Sequence, residues 1–208
     1  MVQTVGHKRR EMNPEGKRNA IMEVGERLFA THGYTKTSIG DIAKAANVAV
    51  GSVYRLFPDK PSLLAALHDR MEQRFISVMM GAWSSVHAYE EKFGPLIGAL
   101  LAEAERMKDI MPLYAMTKDA VGADDYVPGA KMIAAIEGLY NGGVEAGVFR
   151  ALPTGIVGPL AHAMVEGGMR ALMSNPTSTH RRLVQTELRA VFEKAFFVER
   201  AVPKRDRP

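Results

Sequence analysis

The chain has 208 residues, no cysteine, and 27 lysines and arginines against 23 aspartates and glutamates, a formal surplus of four positive charges. With 24% charged and 47% hydrophobic residues it has the composition of a folded chain, one domain or two small ones, which excludes a disordered, collagenous or low-complexity protein. Divided after Lys60, the first part carries ten basic and six acidic residues and the remainder seventeen of each, so the whole surplus falls on the first sixty residues.

Residues 1–20 are polar without an apolar core, which argues against a secretory signal. The least polar later stretch, Ile156 to Met173, is interrupted by Pro159, His162, Glu166 and Arg170 and falls short of a membrane-spanning helix. Without disulfides, the expected compartment is a reducing cytoplasm.

Apolar residues recur three and four apart almost throughout, so the expected fold class is all-α. The first helix is expected from about Pro14 to Thr31, with Ile21, Val24, Leu28 and Phe29 on one stripe and Gly33 as a left-handed cap. A short helix follows from Ser38 to about Ala46, where Ser38 and Asp41 have capping-box spacing. Asn47 suits a left-handed turn, and a third helix runs from about Ala49 to Leu56. Pro58 to Pro61 breaks the chain and starts a long fourth helix, with Pro61 at its first position, reaching about His87. Further helices are expected at roughly Leu96 to Lys108, Pro112 to Val121, Pro128 to Gly147, Thr154 to Met173 and Thr177 to Val198, with a disordered tail from Pro203.

Two short helices joined by a turn of about three residues form a helix-turn-helix over residues 38–57. Ile39, Ile42, Ala43, Val48, Val53 and Phe57 are spaced to face inward, and Ala43 and Ala46 let the pair cross closely. Val50, Ser52, Tyr54 and Arg55 remain outward, a face small enough for a major groove, with hydroxyl and guanidinium groups for phosphates or base edges. The same motif also packs inside helical enzymes, and the charge surplus on the first sixty residues, which include it, is what favours DNA. The basic arm His7-Lys8-Arg9-Arg10, with Lys17 and Arg18, reads either as a DNA-reaching arm or as a solvated tail.

Through Thr37-Ser38-Ile39, Asp41-Ile42-Ala43, Gly51-Ser52-Val53-Tyr54, Phe57, Lys60 and Ser62-Leu63-Leu64 the segment resembles the DNA-binding domain of the TetR family of transcriptional regulators. The resemblance implies a double-stranded DNA partner, with Val50 and Ser52 facing bases, Tyr54 and the Ser38 helix start touching phosphates, and Lys60 holding the DNA backbone. The expected DNA-binding set is Ser38, Lys44, Val50, Gly51, Ser52, Tyr54, Arg55 and Lys60. Ala49 lacks the hydroxyl many members carry, Asn47 stands where glycine is usual, and Gly40 has no side chain to read a base. The implied domains are residues 14–76, the three-helix DNA-binding domain, and residues 77–208, a helical ligand-binding and dimerisation domain.

Ten of the thirteen methionines lie beyond Lys60, and methionine suits either an adaptable apolar cavity or an ordinary core. The expected ligand-binding set is Phe75, Met79, Trp83, Met107, Met111, Tyr114, Tyr140 and Met164, for a small apolar ligand. Glu137, Glu145 and Glu166 are candidates for selecting its charge. Gly158, Ala161, Gly167, Gly168 and Ala171 give the penultimate helix a small-residue surface, and Leu183, Val184, Leu188, Val191, Phe192, Ala195 and Phe196 give the last a wide apolar stripe. These faces pair either between two subunits or within one.

The six histidines stand alone, without metal-ligand spacing or a cysteine partner, and there is neither a phosphate loop nor a nucleophile elbow. No enzyme, cofactor or metal is therefore expected. The sequence reads as a homodimeric repressor released from a palindromic operator by its ligand, with an architectural or partner-binding DNA protein as the alternative.

Overall fold

A computed structural model of the chain describes residues 13–121, 129–153 and 155–198, with Lys118 described by its backbone alone. Among these residues the fold is all-α, as the periodicity predicts, and the only β-type pairing is an isolated antiparallel bridge between Phe149 and Phe197. The basic arm at residues 7–10 and the tail from Pro203 lie outside the described residues.

Helix α1 (Pro14–His32) starts under an Asn13 cap whose Oδ1 accepts from the Gly16 amide at 2.7 Å. Gly33 ends it at φ +87° and ψ 146°. This is not the left-handed helical cap expected but an extended positive-φ conformation, which glycine alone adopts without strain. Helix α2 (Ile39–Ala46) begins with the complete Ser38–Asp41 capping box and ends at Asn47, which is left-handed at φ 55° and ψ 46°. Helix α3 (Val50–Leu56) has Ala49 at its cap position and no side-chain cap hydrogen bond, as the missing hydroxyl predicts.

Helix α4 (Lys60–Ser84) is capped by Asp59, whose Oδ1 accepts the Ser62 amide at 2.7 Å. It stops three residues before His87 because the Lys92 ammonium takes the carbonyls of Trp83 and Val86. A 3-10 turn (Tyr89–Glu91) leads into α5 (Phe93–Arg106). The single helix expected at 112–121 is two, α6 (Met111–Ala115) and α7 (Thr117–Val121), parted at Met116, whose amide bonds three residues back to Leu113. Helices α8 (Ala130–Glu145), α9 (Val157–Ser174) and α10 (Ser178–Phe196) complete the described chain.

The described residues group into two compact units, one of residues up to 68 with those of 112–126, the other of 69–111 with those from 127 onward. In the first unit Ile21, Met22, Val24 and Phe29 of α1 pack with Ile39, Ile42, Ala43, Ala46, Val53 and Phe57, and Leu63, Leu64 and Leu67 of α4 close the core. Gly25 permits the close approach: a Cβ there would lie 3.1 Å from Leu63 Cδ2. Leu113 and Tyr114 are also buried, and the Tyr114 hydroxyl donates to Glu26 of α1.

The second unit is centred on aromatic rings. Phe149 stands 5.4–6.3 Å, centroid to centroid, from Trp83, Tyr89, Phe93, Tyr140 and Phe197, and Phe192 and Phe196 extend the cluster. Phe149 reaches it because the chain reverses at Gly147 (φ 71°) and lays the ring over Gly143. Buried Glu103 of α5 is paired with Arg74 of α4 and Arg106, and Glu72 of α4 accepts the Met132 amide at the start of α8. On α9, Gly158 packs against Ile133 and Glu137 of α8, and Gly168 against Leu188 of α10, whereas Gly167 meets nothing. Part of the small-residue surface is thus used within the chain.

Gly143→Ala places a methyl group inside the Phe149 ring volume and should destabilise the protein by about 1–3 kcal/mol, measured by denaturant unfolding. The Ser38 hydroxyl, then the Ser38 amide, holds the Asp41 carboxyl below the usual carboxylate range, and Ser62 does the same for Asp59. A carboxyl lowered by folding stabilises fully above its unfolded value, about pH 4, and loses that contribution as pH falls through the lowered folded value. Asp41→Asn should remove its share of this acid dependence, leaving that of Asp59, in circular-dichroism unfolding curves taken between pH 2 and 6, a range set around about pH 4.

Candidate nucleic-acid interface

The helix-turn-helix presents its outward face as the sequence spacing requires. Val53 and Phe57 are buried, while Val50 and Tyr54 are 46% and 51% exposed and Arg55 is exposed beside them. One turn of α3 separates Val50 from Tyr54, so both lie on one side of a helix whose opposite side seats on α1 and α2. The Arg18 guanidinium lies 4.6 Å from the Phe57 ring centroid and covers the end of that core.

Within this face the hydroxyls differ in what they can offer. The Ser52 hydroxyl accepts from Arg55 Nη2 at 3.3 Å, which leaves its own proton for an external acceptor and steadies the guanidinium. The Ser38 hydroxyl accepts the Asp41 amide at 3.1 Å and donates to Asp41 Oδ2 at 2.6 Å, so its one proton is already placed. Ser38 therefore meets a phosphate oxygen only by giving up the carboxylate. Lys44, in the last turn of α2, is exposed. At Gly51 a Cβ would meet nothing within 4 Å, so an incoming surface can approach the α3 backbone closely there.

Lys60 is placed differently from the other seven residues of the expected set. Its ammonium donates to the carbonyls of Tyr34 at 2.9 Å, Thr37 at 3.2 Å and Thr35 at 3.5 Å, and stands 4.4 Å from the Tyr34 ring centroid. Burial, then the nearby Asp59 charge, pushes the Tyr34 phenol above its ordinary value.

The expected ligand residues fall in both compact units. Trp83 and Tyr140 meet through Phe149 in the aromatic cluster, and the Tyr140 hydroxyl is taken up by the Arg150 carbonyl and the Leu152 amide. Phe75, Met79 and Met107 are buried, Met111 and Met164 half-buried. Tyr114 belongs to the first unit, with its ring edge against His68. Of the candidate acids, Glu145 and Glu166 are exposed and Glu137 is half-buried beneath Gly158. Sequence reasoning missed Lys92, whose buried ammonium lies 5.1 Å and 5.4 Å from the Trp83 and Tyr89 ring centroids, and Glu103 with its two arginines. A lone lysine opening an apolar helix and a lone glutamate on the face of Ile97, Leu100 and Leu101 were the available signals. No described helix is long and apolar enough to cross a membrane.

Residues 21–67, which hold this whole face, match the family described as bacterial regulatory proteins, tetR family. The chain is 42% identical over 55 residues to the HTH-type transcriptional regulator AcrR of Shigella flexneri, a match covering 26% of each chain. It spans between a quarter and about a third of the length of the curated relatives it matches. The likeness of fold extends further. A TetR family transcription regulator of known structure from Marinobacter aquaeolei VT8 superposes with a TM-score of 0.63 at 21% identity, over 84% of this chain and 94% of that one. SmeT in its triclosan complex superposes with a TM-score of 0.54 at 18% identity, over 88% and 92%. Residues 21–67, with the helix-turn-helix and its outward α3 face, thus match the tetR family of bacterial regulatory proteins, and the helical fold around them is like that of solved TetR family regulators.

Proposed function

We propose that the protein is a DNA-binding transcriptional regulator, a homodimeric repressor that a small apolar ligand releases from a palindromic operator. The observation that carries the DNA-binding part is the outward α3 face: Val50, Ser52, Tyr54 and Arg55 project from a helix fixed on its other side by a buried core. Val50 and Ser52 suit base edges, the Tyr54 hydroxyl and Arg55 suit phosphates, and Lys44 adds charge at the end of α2. Gly51 suits close approach, and Ser38 remains a phosphate candidate at the expense of its bond to Asp41.

Dimerisation is supported by large apolar side chains left in water on two packed helices. Leu160 of α9 and Leu183 of α10 are 53% and 55% exposed, and Ile156, just before α9, and Val191 of α10 are exposed as well. Two copies of this pair would form a four-helix contact. Two-fold symmetry would then set the α3 helices roughly 34 to 36 Å apart, or a multiple of that, to match two half-sites of a palindrome.

For the ligand, support comes from the half-buried methionines Met111 and Met164 and from SmeT, a protein of the same fold seen with triclosan. Repression and release then require the ligand to bind two arrangements of the dimer unequally. The packing of the Trp83 and Tyr140 rings on Phe149 favours the second reading, in which a closed helical body recognises another protein and no ligand enters.

Arg55→Ala should weaken binding to any duplex and reduce the slope of log affinity against log salt by about 0.9, read from fluorescence anisotropy over roughly 50 to 200 mM salt. Unchanged affinity and slope would remove Arg55 from the interface. The double variant Leu160→Glu, Leu183→Glu should sediment as a monomer at micromolar concentration where the parent sediments as a dimer. A parent that is itself monomeric removes the dimer. A thermal-shift screen of small apolar compounds that yields no stabiliser favours the ligand-free alternative.

A further inference from the structure

The resemblance places Lys60 on DNA, yet the structure gives its ammonium three partners inside the protein. An ammonium has three protons to donate and accepts none, and the carbonyls of Tyr34, Thr35 and Thr37 take all three. Those carbonyls belong to the five-residue connection 33–37 between α1 and α2, which turns at Gly33 and is held at its far end by Thr37. Buried Thr37 directs its one Oγ1 proton to the Gly33 carbonyl at 2.9 Å, with the Leu28 carbonyl also within reach at 3.3 Å. Three carbonyl dipoles converge on one point, an arrangement that needs a cation at its centre. The Tyr34 ring adds its negative face 4.4 Å away.

We propose that Lys60 is a positioning residue of the DNA-reading head: its ammonium fixes the connection 34–37, and through it the Ser38 cap of α2 and the setting of α3, instead of neutralising a phosphate. The proposal rests on the DNA-binding reading above and assigns a different task to one residue of that site. Lys60 opens α4, its neighbour Asp59 caps the same helix through Ser62, and Ser38 follows Thr37 directly, so one side chain ties three helix termini together. Reaching a phosphate would leave the three carbonyls without their donor.

Two variants and one probe test this. Lys60→Met keeps the aliphatic stem and removes the charge. Lys60→Arg keeps the charge but substitutes a planar fork, which suits a phosphate better than three carbonyls around a point. The probe is a duplex of arbitrary sequence, about three helical turns long so that one dimer fits, followed by anisotropy across a salt series. Lys60→Met is expected to lower affinity about tenfold at every salt concentration, with the slope of log affinity against log salt unchanged because no phosphate contact is lost. Amide exchange at residues 34–38 should quicken in both variants while α10 exchanges as in the parent.

A slope reduced by about 0.9 in Lys60→Met, with exchange at 34–38 unchanged and Lys60→Arg binding like the parent, overturns the proposal and returns Lys60 to a phosphate. Unchanged affinity and exchange in both variants overturns it as well. Should Lys60→Met fail to fold, the Lys60→Arg exchange pattern decides alone. A parent protein that binds no duplex at low salt defeats the DNA-binding reading itself, and the exchange experiment still tells whether Lys60 holds the connection.

Discussion

Burial of one side of α3 fixes what the other side can do. Val53 and Phe57 are held in a core shared by α1, α2 and the first turns of α4, and that core admits only one rotation of α3 about its axis. A rotation exposing Val53 would cost on the order of 1.5–3 kcal/mol for that side chain alone, and Phe57 as much again. Val50, Tyr54 and Arg55 are outward because these two residues are inward. Gly25 lets α1 and α4 close around the pair, and small Ala43 and Ala46 let α2 cross α3.

Polar groups then fix the ends of the helices that the core has oriented. Asn13, Ser38, Asp59 and Thr177 cap four helices by accepting amides that no helix carbonyl can reach. Lys60 performs the converse task on carbonyls, drawing three into one cationic centre. Ser38 illustrates how a structural and a recognition role compete for the same proton, since its hydroxyl closes the capping box with Asp41. Ser52, one helix later, accepts from Arg55 and so retains a proton to give.

The second unit solves a different problem with the same means. Its helices are joined by an aromatic cluster instead of a periodic aliphatic seam, and the cluster needs a chain reversal at Gly147 to bring Phe149 into its middle. The charges within it are neutralised locally: Lys92 by two carbonyls and two ring faces, Glu103 by two arginines. A buried charge so partnered offsets part of the cost of its desolvation within the protein. Among the described residues Leu160 of α9 and Leu183 of α10 remain exposed, and it is on these that the proposed dimer rests.

Local spacing determined much of this protein by itself. The all-α class, the capping box at Ser38 and Asp41, the left-handed Asn47, the uncapped start of α3 at Ala49 and the outward set of α3 were all legible, because each depends on residues within a few positions of one another. Tertiary structure alone decided what depends on partners far along the chain. Lys60 finds carbonyls some 23 to 26 residues away, Tyr114 finds Glu26 across 88, and Phe149 meets Trp83 and Phe197 from opposite directions in sequence. The packing boundary within α4, and the inclusion of residues 112–126 with the first unit, have the same origin. Periodicity says which side of a helix is buried, but which group it is buried against is set by the three-dimensional path of the chain, and at Lys60 that path changes the chemistry its residue type suggests.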